Sequence, residues 1–173
     1  MGFLDKIKEG GRGVVTAAGP DEGVEPQPAD EVRRRLLAIT GKGVEAREHD
    51  GKVTVAWSAK IASAGLGGRY KEAHRAIEIS LDEDKREAAG RTVSETTKAG
   101  VGLAGLLSGS FSRSKSSGQA MGSETFHVVG WLGPHETEGG ADEKGYKFSW
   151  SSLRDPVIEA VTGAGWTYRP KKT

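Results

Sequence analysis

Four histidines, His49, His74, His127 and His135, are the only imidazoles the chain offers to a metal ion or a proton transfer. No two of them stand in the H-x-x-x-H spacing that sets a ligand pair on one helix face. His127 and His135, with Glu136, Glu138 and Asp142 close by, are where nitrogen and oxygen ligands crowd together. They define a metal-dependent hydrolase as the enzymatic alternative. His49 falls on a hairpin shoulder and His74 on the polar face of a strand. The absence of cysteine removes disulfides, thiolate metal sites and thiol nucleophiles. Gly100-Val101-Gly102-Leu103-Ala104-Gly105 spells G-x-G-x-x-G, yet a phosphate turn needs a buried strand before it and a helix after it. Here a polar run precedes and a Gly/Ser-rich run follows. Leu107-Ser108-Gly109-Ser110 likewise lacks the strand–turn–helix setting of a nucleophile elbow. The residues therefore point to no catalytic site, and no cofactor is expected.

Binding chemistry is more visible. Phe3, Leu4 and Ile7 recur at i, i+1, i+4 in GFLDKIKE, the spacing of a short amphipathic helix over residues 1–9. So short a helix needs a surface to hold it, because nucleation is costly in water. Residues 10–28 supply Gly, Pro, Asp and Glu without periodicity and read as a flexible linker. This pairing predicts docking of Phe3, Leu4 and Ile7 on a protein partner or a second copy of the chain, with peripheral membrane contact as a further option. Arg33-Arg34-Arg35 invites a nucleic-acid reading. Net charge is only +1, however, and successive helical side chains fan out by about 100°. No nucleic-acid partner is expected. Leu106-Leu107 and the Phe111–Ser117 run, with Arg113 and Lys115, offer a weak membrane or phosphorylation signal.

These residues must be positioned by elements. The chain has 173 residues, enough for one domain, with 26 glycines and only 33 Leu, Ile, Val and Phe together. A small core carrying long polar segments reconciles those figures. Asp30 is placed to cap a helix running to about Ile39, with Val32, Leu36 and Ile39 inward and Gly41 and Gly43 at its stop. Lys52–Ile61 alternates strictly, and Asp50-Gly51 ahead of it is a type I′ hairpin pair. A two-residue loop sets His49 opposite Lys52, Ala46 opposite Val55 and Val44 opposite Trp57. Tyr70–Leu81 reads as a second strand with Ala73, Ile77, Ile79 and Leu81 on one face. Arg86–Lys98 is polar enough for an exposed or edge strand. Residues 99–123 read as a Gly/Ser-rich loop, Glu124–Leu132 as a central strand and Tyr146–Ser151 as another. Asp155 at N-cap and Pro156 at N1 open a second helix that ends near Gly163 or Gly165, before a closing strand at Trp166–Tyr168.

The closing run, from Tyr146-Lys147-Phe148 through Leu153-Arg154-Asp155-Pro156-Val157 to Gly165-Trp166-Thr167-Tyr168, resembles the ends of a family of uncharacterised bacterial proteins. The resemblance covers mainly residues 29–98 and 124–169, in order of elements, and implies a common fold. It implies no activity, cofactor or catalytic residue.

The expected fold is α+β: a curved antiparallel sheet of six or seven strands with an N-terminal and a C-terminal helix packed on it. Residues 29–173 form this single domain, preceded by the docking helix at 1–9 and the linker at 10–28. The expected function is a non-enzymatic interaction or adaptor module held to a partner by Phe3, Leu4 and Ile7. A second class is a small-molecule or lipid-like ligand domain, its cavity lined by Trp57, Phe126, Trp131, Phe148 and Trp150. With no run of about 18 apolar residues and no secretory leader, the expected location is cytoplasmic, extending to the inner membrane face.

Overall fold

A computed structural model describes residues 16–41, 43–63, 69–101, 109–118, 123–126 and 146–171. Among them helix α1 spans Ala29–Leu37 and helix α2 spans Trp150–Thr162. The strands are β1 (Val44–His49), β2 (Lys52–Ser63), β3 (Arg69–Asp82), β4 (Glu87–Val101), β5 (Gly109–Gly118), β6 (Ser123–Phe126), β7 (Tyr146–Ser149) and β8 (Thr167–Pro170). The architecture is α+β.

The β1–β2 hairpin has the register that its turn requires: His49 pairs with Lys52, Ala46 with Val55 and Val44 with Trp57. Asp50 and Gly51 both take positive φ, +49° and +70°, as a type I′ turn demands. Strands β1 to β5 then follow one another antiparallel in a single open sheet. Strand β4 shares its second edge between two partners. Residues Thr92–Val101 pair with β5, while Glu87–Gly90 pair with β8. That last pairing is parallel, so the sheet is mixed where an antiparallel one was expected. Helix α2 packs on the sheet face ahead of β8, and such a crossover can deliver a strand in parallel.

Most of the buried apolar residues share one face, while Ala76 and Val93 pair and are buried on the other. Val53, Val55, Trp57 and Ala59 on β2 join Ala73, Ile77 and Ile79 on β3 and Ala88 on β4. Helix α1 meets them with Val32 and Leu36, and α2 with Leu153, Val157, Ile158 and Val161. Helix α2 begins at Trp150, five residues before the Asp155 cap predicted for it, and carries Pro156 in its interior. An interior proline forfeits a helix hydrogen bond, a cost of about 3 kcal/mol. The buried stripe Trp150, Leu153, Val157, Val161 keeps helical spacing across the proline and offsets that cost. Asp30 lies inside α1, whose N-cap is Pro28.

Three further corrections concern the polar segments. Residues 99–123 are not one loop: β4 continues to Val101, β5 occupies Gly109–Gly118 and β6 starts at Ser123. The polar run Arg113 to Ser117 in β5 reflects side chains facing solvent, not a missing ladder. Strand β4 is interior, because its polar residues sit between β3 and β5. Strand β6, expected to be central, pairs with β7 in a separate two-stranded sheet, and residues 127–132 lie outside the described ones.

Candidate functional site

Residues 16–28, the second half of the expected linker, are fastened to the C-terminal elements. Ala18 and Tyr168 exchange backbone hydrogen bonds of 2.9 and 2.8 Å, adding a bridge on the outer edge of β8. Asp21 N–H donates to Thr162 O at 3.2 Å and Gln27 N–H to Ala164 O at 2.9 Å. The buried Trp166 indole donates from Nε1 to Gln27 O at 2.7 Å. Gly165, at φ +76°, lets the segment cross close by, since a Cβ there would stand 2.7 Å from Pro26 Cα. This strap is therefore ordered by C-terminal groups that would otherwise bury unpaired polar atoms. The sequence signal was Gly165-Trp166 itself: a buried indole N–H must find an acceptor, and Gln27 supplies it. Phe3, Leu4 and Ile7 lie outside the described residues, as do the rest of 1–15 and Lys42.

The aromatic set divides. Trp57, Phe148 and Trp150 pack on one another, with ring centroids 4.7 Å apart for Trp57–Phe148 and 5.2 Å apart, edge to face, for Phe148–Trp150. All three are buried in the core cluster. Trp131 lies outside the described residues, and Phe126 is placed only by its backbone in β6, opposite Tyr146. Among the described residues these rings fill the core.

Arg75 was not singled out by its type, although strict alternation between Ala73 and Ile77 places it inward. It sits opposite Trp57, only 3% exposed. Its Nη1 donates to His74 O at 3.0 Å, Glu95 O at 2.8 Å and Thr96 Oγ1 at 3.3 Å. A guanidinium spreads such bonds over several acceptors because its donors form a rigid fork. Arg75 thus ties the core face of β3 to β4.

On the opposite face the register aligns Ser58, His74, Glu95 and Lys115 across β2, β3, β4 and β5. Ser58 Oγ lies 2.9 Å from His74 Nδ1. Burial pushes the His74 imidazole below its usual range, against the pull of Glu95 and Glu72, with Arg75 and Lys115 adding to the fall. A neutral ring can hold this bond in either tautomer, accepting the Ser58 proton at Nδ1 or donating its own from there. Glu95 is committed to Arg113 at 2.5 Å. The row places a hydroxyl, an imidazole and a carboxylate in line, but on a sheet face backbone N–H groups lie in the sheet plane. Nothing in that geometry aims them at an oxyanion, the usual source of the largest rate gain.

The three consecutive arginines of α1 are also engaged. Arg33 pairs with Asp30 and reaches Glu48 at 3.1 Å, Arg34 pairs with Glu31 at 2.7 Å, and Arg35 bridges Glu31 and Gly163 O, each at 2.9 Å. Hydrogen bonds from Arg34 and then Arg35 hold the Glu31 carboxyl down to about 2. The triple arginine is a helix face laced to its own domain. Gly100 and Val101 belong to strand β4, so the start of the G-x-G-x-x-G run is ladder; Gly102 to Gly105, Leu106 and Leu107 lie outside the described residues. So do His127, His135, Glu136, Glu138 and Asp142. Among the described residues no group of three His, Asp or Glu is arranged to hold a metal, and no helix is long and apolar enough to cross a membrane. Compared with known proteins, the chain matches no family model, no curated protein and no solved structure.

Proposed function

We propose that the protein is a non-enzymatic interaction module whose N-terminal peptide, through Phe3, Leu4 and Ile7, docks on a protein partner. The observation that carries this reading is the strap. Residues 16–28 are stapled to Thr162, Ala164, Trp166 and Tyr168, so the peptide departs from a fixed point at Ala18. Only residues 8–17 separate Ile7 from that point. Ten residues span at most about 36 Å. A contact made by the peptide thereby holds the domain close to its partner, which raises the effective concentration for any second contact. A chain with the same peptide on a fully free 10–28 linker would lack that restriction.

The test uses the full chain beside a version lacking residues 1–10 and a Phe3→Asp/Ile7→Asp double variant, each affinity-purified from the native host. The full chain is expected to retain a stoichiometric protein partner that both variants lose while their thermal unfolding stays unchanged. Identical partners, identical oligomeric state and identical vesicle association in all three would overturn the proposal. Loss confined to vesicle association would identify a lipid surface instead.

A further inference from the structure

We draw no further inference here: the strongest candidate, the Ser58–His74–Glu95–Lys115 row on the sheet face opposite the two helices, holds a hydrogen bond and an ion pair of its own, and nothing in the structure shows what covers it.

Discussion

The long strands β2 to β4 run through two environments, with β5 flanking only the far one. In the near half, Val53–Trp57, Ile77–Leu81 and Ala88–Gly90 lie under α1 and α2 and beside β8. In the far half, Ser94–Thr97 and Arg113–Ser117 carry hydroxyls and charges, and their side chains are half-buried or exposed. Both halves have a continuous hydrogen-bonded ladder. The difference lies in what the side chains add. Apolar burial contributes roughly 25 cal/mol per Å², whereas an ion pair open to solvent on one side, such as Glu95–Arg113, contributes on the order of 1 kcal/mol. The near half therefore holds the large buried apolar side chains, and the far half adds to the core only the small Ala59 and Ala73 and the hydrogen-bonded Arg75. Strand length alone says nothing about where a sheet is held together.

Truncating one side chain in each half separates their contributions. Ile77→Ala removes a fully buried side chain beneath the helices and is expected to cost about 2–5 kcal/mol. Ser114→Ala, on exposed β5, is expected to stay within about 0.5 kcal/mol. Urea unfolding of both variants checks the pair, and equal costs would mean that the far half carries hidden burial.

A second measure concerns the parallel β4–β8 pairing in the near half. Tyr168 is buried over Gly90, where any Cβ would run into its hydroxyl. Burial pushes this phenol up to about 12, with Arg154 pulling weakly the other way. The unfolded chain releases the proton near 10, so stability is full below pH 10 and falls as pH rises towards 12. A shift of that size corresponds to about 2–3 kcal/mol. Tyr168→Phe should flatten the alkaline limb of unfolding measured between about pH 9 and 12. An unchanged slope would remove Tyr168 from the account.

Much of the near half was legible in the sequence because period-two alternation and a two-residue Asp-Gly turn leave one register open. The β1–β2 pairing followed from those alone. What escaped was set by distant groups. The start of α2 depends on Trp150 and Leu153 finding the core, which local proline chemistry at Pro156 opposes. The strap depends on Trp166 reaching Gln27, 139 residues away. Strand β5 was hidden because an exposed ladder leaves no apolar pattern to read. The Ser58–His74–Glu95 alignment was illegible because alternation fixes which face each residue of β2 and β3 takes but not which residue stands opposite which.

The strap offers a third, smaller measure. At Gly165 the obstruction is backbone, Pro26 Cα and Glu25 O, which cannot rotate aside as a side chain would. Gly165→Ala should cost about 1–3 kcal/mol and speed amide exchange at Ala18 and Gln27 before any change in β5. Uniform exchange across the molecule would show that the strap does not open separately.

In the far half the effect of pH is small and local. His74 is the titratable group there whose burial opposes its charge, with Glu72 and Glu95 favouring protonation and Arg75 and Lys115 opposing it. A folded-state value below the ordinary one means that the unfolded chain takes up the proton first as pH falls. Stability is then full above about pH 6.5 and declines as pH drops below it. The loss should appear as faster exchange at Ser94–Thr97, where the row crosses β4, with Ile77–Leu81 still protected. His74→Gln keeps a polar partner for Ser58 and removes the titration. Stability profiles of the two proteins from about pH 7.5 to 5.0 should diverge only on the acid side. Parallel profiles would mean that the imidazole is solvated in both states and that its burial does not couple the far half to pH.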